Sequence, residues 1–252
     1  MLGDAKAIYL ATRKRNDQLF NTYVMRPLAG LGVAILARTP ITPNQVTILG
    51  WLVFLVAGAA LVALPDPRGA LIAVAILELS YFLDCCDGML ARHKKIASTQ
   101  GHLFDFFTDE SKALILVGTL GVRLWRVGGH GLDAEVWPTG SPWFLLATVA
   151  GVTVVASATS LTNFVRRPEI SGRETPVEAH YESLEREEVR SLLARLGHAV
   201  MTFLRFLNHY PSHIWLFALL GRLDLFFWIY LTLNSLYLAK GWLGLLLRFG
   251  RT

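Results

Sequence analysis

Six long apolar stretches dominate this chain and restrict the folds that it can adopt. They lie near residues 46–64, 70–86, 104–122, 142–164, 201–220 and 224–246. Each approaches the roughly 20 residues that an α-helix needs to cross the hydrocarbon core of a bilayer. Because 53% of the 252 residues are hydrophobic and only 17% are charged, too little polar surface remains for a water-soluble globule. The sequence therefore predicts an all-α integral membrane protein with six transmembrane helices.

The whole chain, residues 1–252, is interpreted as a single membrane domain. Residues 1–45 form a cytoplasmic or interfacial segment, residues 46–122 hold the first three spans, and residues 142–246 hold the last three. A long polar interruption near residues 166–200 is predicted to be a cytoplasmic loop that continues into helix.

The N-terminal segment contains a further helical pattern. From Leu19 to Leu31, apolar residues recur at helical spacing, while Asn21 and Arg26 fall on another face. This pattern predicts an amphipathic helix that lies at the membrane interface.

Four aspartates interrupt the apolar sequence between the second and third stretches, at Asp84, Asp87, Asp105 and Asp109. An uncompensated carboxylate within a bilayer costs about 2.5–3.5 kcal/mol, so an acidic cluster there indicates a functional site. Spacings of three and four residues place each pair on one face of a helix. Carboxylate oxygens are preferred by hard cations such as Mg²⁺, and this set suits a two-metal site.

Small residues accompany the acidic pairs. Gly88 and Ala91 follow the first pair on the same side of the helix, and Gly101 precedes Asp105 by one helical step. A glycine in a helix costs about 1 kcal/mol relative to alanine, which favours a functional reason for its presence. The absence of bulky side chains leaves room for a ligand to approach the helix backbones.

The spacing of these residues resembles the signature of the CDP-alcohol phosphotransferases, integral membrane enzymes that make phospholipid head-group linkages. The matching positions are Asp84-x2-Asp87-Gly88-x2-Ala91-Arg92-x8-Gly101-x3-Asp105-x3-Asp109. Residues 42–47, TPNQVT, resemble the segment that opens the first transmembrane helix of many members, and Arg26-Pro27 resembles the interfacial segment before it. By motif, the resemblance covers about half of the chain.

The resemblance implies a metal cofactor, two ions of Mg²⁺ or Mn²⁺ that hold the diphosphate of a CDP-linked donor. The implied metal ligands are Asp84, Asp87, Asp105 and Asp109. Asp109, the last of them, is also the implied general base that accepts the proton of the attacking hydroxyl.

The same resemblance implies residues that bind the donor. Gly88, Ala91 and Gly101 would form the surface against which the cytidine lies, and Arg92 would contact a phosphate or a carboxylate. Asn44 and Thr47, in the TPNQVT segment, are also assigned to donor binding.

The implied reaction transfers a phosphoalcohol or phosphatidyl group to a hydroxyl and releases CMP. The segment RPLAGLGVAILARTPITPNQVT resembles members that use a CDP-polar alcohol with a lipid acceptor. The alternative is a CDP-diacylglycerol donor with a small alcohol or sugar-phosphate acceptor. Polar residues near the ends of later spans are the candidate acceptor ligands, namely Asn163, Arg166, Arg167, Arg205 and Asn208. Anchoring at the cytoplasmic face explains Arg166 and Arg167 equally well.

Basic residues predict the orientation of the chain. Lys and Arg are concentrated before the first span, between the second and third, and between the fourth and fifth. Because such residues accumulate on the cytoplasmic side, the acidic motif, both termini and the polar loop are predicted to be cytoplasmic. The expected partners are the donor, the acceptor and the bilayer, without nucleic acid; a homodimer is implied by the resemblance alone.

Other classes of protein explain the acidic cluster less well. A divalent-cation transporter predicts acidic residues spread through several spans, whereas these cluster near one end of two spans. A polyprenyl transferase also binds diphosphate through metals, but its acidic motifs are more widely separated. A catalytically inactive scaffold would not require the complete set of aspartates.

Two other sets of possible metal ligands have simpler interpretations. Cys85 and Cys86 are adjacent, so they point in different directions on a helix and are predicted to pack in the core. His209 and His213 have a spacing that suits a metal, but Pro211 between them is expected to distort the helical turn.

Overall fold

A computed structural model describes residues 2–13, 17–130, 133–167, 170, 202–204 and 206–250 of the chain. Within these residues the regular secondary structure is helical, without β-strands, which confirms the all-α class. The α-helices are α1 (Leu2–Thr12), α2 (Arg26–Leu36), α3 (Pro43–Ala63), α4 (Pro67–His93), α5 (Thr99–Val127), α6 (Asp133–Val136), α7 (Pro142–Arg166), α8 (Ile214–Leu219) and α9 (Leu223–Phe249). A π-helical turn, Asn21–Met25, precedes α2, and a 3₁₀ turn, Tyr210–Ser212, precedes α8.

The chain forms two compact units. The first contains Met1–Thr119 and Ile214–Gly221, and the second contains Leu120–His213 and Arg222–Thr252. The single domain expected for residues 1–252 remains a prediction.

Three of the described helices, α3, α4 and α7, are long and apolar enough to cross a membrane. They coincide with the first, second and fourth predicted spans. Helices α5 and α9 have the length for the third and sixth spans but are not among these three. Polar side chains explain the difference, because α5 carries the second acidic pair and α9 contains Asn234 and Lys240. The six-span topology therefore stays a prediction.

The predicted fifth span, near residues 201–220, is interrupted among the described residues. Helical backbone at residues 206–208 ends before His209, the 3₁₀ turn follows, and α8 begins only at Ile214. Pro211 lies within the 3₁₀ turn and cannot donate a helical hydrogen bond. The expectation of one continuous helix was therefore wrong for this stretch, while the predicted distortion at Pro211 is confirmed.

Helices α3 and α4 form an antiparallel pair that supports the acidic motif. Thr42 caps α3 in a capping box with Gln45, which confirms that the TPNQVT segment opens this helix. Along the pair, the Ser80 hydroxyl donates to the Gly50 carbonyl oxygen at 2.7 Å. A Cβ atom at Gly50 would lie 3.4 Å from Leu83 Cβ, which is van der Waals contact between the two helices.

The N-terminal segment packs on α4 through a buried apolar cluster. Met25, Ala29 and Val33 contribute from its side, and Cys85 and Cys86 contribute from α4. Both cysteines are buried free thiols, which confirms their predicted packing role.

Polar side chains reinforce this contact. Arg26 pairs with Asp17, and Tyr81 of α4 donates a hydrogen bond to Asn21. Burial lowers the pKa of the Arg26 guanidinium, but Asp17, with smaller contributions from Cys85 and Tyr81, raises the net pKa.

Most apolar residues of the Leu19–Leu31 pattern point outward, whereas Phe20 and Leu31 pack against the buried cluster. Leu19 is 69% exposed and Tyr23 is 74% exposed, whereas Asn21 and Arg26 are buried against the protein. The placement of this segment at a membrane interface remains a prediction.

The second unit contains a buried aspartate and a close contact between two helices. In α9, Asp224 is fully buried and accepts hydrogen bonds from the Arg222 side chain and from the His130 backbone N–H at 3.1 Å. Helices α7 and α9 pack closely enough that a Cβ at Gly241 would lie 2.4 Å from Leu161 Cδ2.

Candidate metal centre

The reversal between α4 and α5 brings the two acidic pairs towards each other. Lys94 ends α4, and Lys95 adopts a positive φ of 57°. The Lys94 ammonium donates to the carbonyl oxygens of Thr39 and Ile41 at 3.0 and 2.9 Å. These bonds fasten the turn to the segment that precedes α3.

Three of the four predicted ligands converge. One carboxylate oxygen each from Asp84, Asp105 and Asp109 lies within 4.8 Å of the other two. Asp84 belongs to α4, and the other two belong to α5, so the cluster spans neighbouring helices. Asp109 is the most accessible, since 51% of its side chain is exposed, compared with 16% for Asp84.

The spacing of these oxygens suits a hard divalent cation. Oxygens on opposite sides of a Mg²⁺ ion lie about 4.2 Å apart, because each Mg–O distance is about 2.1 Å. Three oxygens within 4.8 Å of one another could therefore bind one ion once the carboxylates move closer together. Carboxylates without sulfur or imidazole are the ligand type of Mg²⁺ and Mn²⁺.

Asp87, the fourth predicted ligand, is held separately. Asp87 is buried, with only 3% of the residue exposed to solvent. The Thr47 hydroxyl of α3 donates to its Oδ2 at 2.6 Å. Thr47, predicted to bind the donor, is thus observed to orient an aspartate of the motif.

Replacing Thr47 by valine is expected to destabilise the protein while preserving side-chain volume. The Asp87 oxygen would lose its hydrogen-bond donor in a buried position, which costs about 1–3 kcal/mol in the free energy of unfolding. Thermal unfolding of the detergent-solubilised protein, without added cations, measures the change. Thr47→Ser, which retains the hydroxyl, is the matched control and should unfold near the wild-type temperature. Equal stability of Thr47→Val and wild type would show that this bond contributes nothing.

Lys112 bridges two members of the acidic cluster. Its ammonium pairs with Oδ1 of Asp84 and lies 3.0 Å from Oδ1 of Asp109. The side chain is only 3% exposed. Sequence reasoning did not select Lys112, although its position seven residues after Asp105 and three after Asp109 places it on their helical face.

Trp51 and Ser111 are a second pair that sequence reasoning missed. The Trp51 indole N–H donates to the Ser111 hydroxyl at 2.9 Å, which joins α3 to α5 beside the cluster. The sequence contains no local signal for this pair, because its members are 60 residues apart.

The N-terminus of α5 brings Gly101 next to Asn44. The Gly101 N–H donates to the Ser98 hydroxyl at 3.1 Å, which caps the first turn. A Cβ at position 101 would lie 3.3 Å from Asn44 Oδ1 and 3.2 Å from Ser98 Oγ. Gly101 thus permits a close approach of the α3 and α5 N-termini, where donor binding was predicted.

Arg92 lies over Gly88 and contacts the N-terminal helix. A Cβ at Gly88 would be 3.5 Å from one guanidinium nitrogen of Arg92. The Arg92 Nε donates to the Thr12 carbonyl oxygen at 3.1 Å. Ala91, the other small residue predicted beside the cytidine, is half-buried on α4. Contact between Arg92 and a phosphate of the donor stays a prediction.

The predicted acceptor ligands belong to the second unit. Asn163 and Arg167 are exposed, and Arg166 is half-buried. Asn208 accepts a hydrogen bond from Asn234 at 3.2 Å. Arg205 and most of the predicted loop near residues 166–200 lie outside the described residues.

Known proteins share this pattern. A family model for CDP-alcohol phosphatidyltransferases matches residues 40–179, which include α3, α4, α5 and all four aspartates. Over 107 residues the chain is 38% identical to an archaetidylinositol phosphate synthase of Pyrococcus horikoshii. The aligned region covers 41% of this chain and 54% of that protein, so the chain spans about half the length of this curated relative.

Proposed function

This chain belongs to the CDP-alcohol phosphatidyltransferase family, and on that premise we propose that it transfers a substituted phosphate group from a CDP-linked donor to a hydroxyl acceptor, with release of CMP. The observation that carries the proposal is the convergence of Asp84, Asp105 and Asp109 from two neighbouring helices. The product would be a phospholipid or a precursor of one. Activity in this chain would require divalent cations.

The proposed cation ligands are the four aspartates of the motif. Asp84, Asp105 and Asp109 already present oxygens to one volume. Asp87 would contribute from its position beside Thr47, where the hydroxyl fixes the orientation of its carboxylate. When bound, two Mg²⁺ or Mn²⁺ ions would hold the donor diphosphate and offset the negative charge on the transferred and leaving oxygens.

Asp109 is the proposed general base. Its side chain is half exposed, so an acceptor hydroxyl can reach the carboxylate. The oxygen of that hydroxyl attacks phosphorus, its proton passes to the Asp109 carboxylate, and CMP leaves with the electron pair of the broken P–O bond.

Small residues near the helix ends support the proposed cytidine site. Gly88 and Ala91 on α4 and Gly101 on α5 offer helix backbone without bulky side chains. Arg92 is the proposed phosphate partner, oriented by its bond to the Thr12 carbonyl. Asn44, next to Gly101, is proposed to contact the donor.

Two pairs of substrates are compatible with this site. Sequence resemblance favours a CDP-polar alcohol and a lipid acceptor. The second pairing is a CDP-lipid with a sugar-phosphate acceptor, and the name of the Pyrococcus relative, an archaetidylinositol phosphate synthase, is compatible with either pairing. Arg166 and Arg167 are the proposed phosphate ligands in that case, because guanidinium groups bind phosphate in a bidentate manner.

An assay of defined substrate pairs tests the proposal. Purified full-length protein in lipid nanodiscs is incubated with Mg²⁺ and either a CDP-dialkylglycerol plus inositol phosphate, or CDP-inositol phosphate, CDP-choline or CDP-ethanolamine plus a dialkylglycerol. We expect CMP release with one pairing and not with either substrate alone. An Asp109→Asn variant, expected to be nearly inactive, is the control for contaminating hydrolysis. Absence of CMP from every pairing would contradict the proposed activity.

The proposed site faces the cytoplasm together with both termini. The distribution of Lys and Arg supports this orientation. The family supports a homodimer, which stays a proposal without a described interface.

A further inference from the structure

Lys112 bridges two of the carboxylates that we assign to cation binding. We propose that it is a positioning residue, an internal counter-ion that holds Asp84 and Asp109 together and competes with divalent cations for them. This inference rests on the proposed function, since it takes these carboxylates to be cation ligands. It adds a residue that the eight-position motif does not contain.

The Lys112 ammonium lies between carboxylates of two helices. Asp105, Asp109 and Lys112 share one face of α5, and Asp84 reaches the same volume from α4. The Lys112 ammonium contacts one oxygen of Asp84 and one of Asp109, so it joins the two helices. Three carboxylates within 4.8 Å repel one another, and a buried positive charge among them offsets that repulsion.

Asp84 and Asp109 cannot bind the Lys112 ammonium and a divalent cation through the same oxygen atoms. Lys112 occupies Oδ1 of Asp84 and Oδ1 of Asp109. A divalent cation on these residues must share the carboxylates with the ammonium or displace it. Either way, the positive charge of Lys112 opposes cation binding.

The Lys112 side chain is also buried. The Lys112 side chain is 3% exposed, so it cannot leave for solvent without repacking α5. The ammonium therefore stays near the cluster when cations bind. It keeps Asp109 in place for its reaction, at the expense of cation affinity.

The effect of removing Lys112 on cation binding distinguishes a counter-ion from a merely structural lysine. A lysine that only stabilised the fold would, when removed, weaken cation binding or leave it unchanged. A competing counter-ion, when removed, strengthens cation binding while the cation-free protein loses stability. Turnover would fall as well, because Asp109 loses its orienting partner.

The test compares Mn²⁺ binding to wild type, Lys112→Met and Lys112→Arg. Free Mn²⁺ is measured by electron paramagnetic resonance in titrations of full-length protein in nanodiscs. We expect the Mn²⁺ dissociation constant of Lys112→Met to fall at least about tenfold, which corresponds to about 1.4 kcal/mol. Lys112→Arg retains the charge and should remain near wild type. Lys95→Met removes an exposed positive charge from the same region and is the matched control.

Thermal unfolding supplies an independent readout. Without cations, Lys112→Met should unfold at a lower temperature than wild type, and saturating Mn²⁺ should reduce that difference. If Lys112→Met cannot be purified without cations but is recovered when Mn²⁺ is present throughout, the counter-ion role is supported. Failure to fold under both conditions would overturn it.

The outcomes distinguish this inference from the proposed function. Wild-type protein that binds no Mn²⁺ would contradict the proposed function, and the inference with it. Wild-type protein that binds Mn²⁺ no more weakly than Lys112→Met would overturn the assignment of Lys112 alone.

Discussion

Asp109→Asn is expected to reduce CMP release by at least about 10³-fold, because a positioned general base contributes about 10²–10⁴-fold and the substitution also weakens a proposed cation ligand. The amide retains the size of the carboxylate but cannot accept the hydroxyl proton at neutral pH. Its side chain is half exposed at the edge of the cluster, so folding and detergent extraction should be preserved. Initial rates of CMP formation at saturating Mg²⁺ give the measurement.

A control separates loss of the base from a general effect of removing one negative charge. Asp4→Asn makes the same chemical change on α1, where the carboxylate is 58% exposed and pairs with Arg38 at 3.2 Å. A surface ion pair of this kind contributes little to stability, so Asp4→Asn should retain wild-type turnover. Unchanged turnover in Asp109→Asn would remove Asp109 as the base.

Mn²⁺ binding resolves the two roles given to Asp109. If it acts mainly as the base, Asp109→Asn lowers turnover at saturating cation by far more than it weakens Mn²⁺ binding. Restoration of wild-type turnover by high Mn²⁺ would instead assign Asp109 to cation binding alone.

Removal of divalent cations is expected to abolish turnover and to lower the unfolding temperature. The cluster contains three carboxylates, and the Lys112 ammonium lies between two of them. Negative charge therefore remains in the cluster, and a bound cation would neutralise it. Dialysis against a chelator, with residual metal checked by elemental analysis, should leave CMP release at background. Titration of Mg²⁺ or Mn²⁺ should restore it.

Two controls check that the loss of turnover is caused by the removal of Mg²⁺ or Mn²⁺ from the aspartates. Zn²⁺, which prefers nitrogen and sulfur ligands, should restore turnover poorly at equal concentration. Asp84→Asn should require more Mg²⁺ than wild type, because it lacks one oxygen of the cluster. Full turnover of a verified metal-free protein would contradict both the cation requirement and the assignment of the aspartates.

The helices that carry the site could be predicted from local sequence. Thr42 and Pro43 predict the start of α3, and that helix begins at Pro43 in the structure. Apolar stretches near residues 46–64 and 70–86 correspond to α3 and α4, and the stretch near residues 104–122 lies within α5. These features depend on neighbouring residues, so one sequence contains the information.

The break in the predicted fifth span shows where local reasoning was incomplete. Hydropathy over residues 201–220 suggests one helix, but the backbone changes to a 3₁₀ turn at Tyr210–Ser212. Pro211 predicts a distortion here, because it removes one hydrogen bond from the helix. Average hydropathy does not record the loss of one hydrogen bond within the helix.

Interactions between distant residues account for the remaining differences in the site. Thr47 orients Asp87 across 40 residues, and Arg92 reaches the Thr12 carbonyl across 80. Their partners are set by helix packing, because a side chain pairs with whatever group the fold places within reach. A single sequence gives the type of each residue and not its neighbour in space.

Residue order alone determined that this chain has apolar helices and that two acidic pairs each occupy one helical face, since helical periodicity and hydropathy are local properties. Tertiary structure decided that Asp84, Asp105 and Asp109 meet, that Asp87 is held by Thr47, and that Lys112 lies among the acids. The physical reason is that Coulomb energies and hydrogen bonds depend on distance in space, which only the packing of α3, α4 and α5 sets.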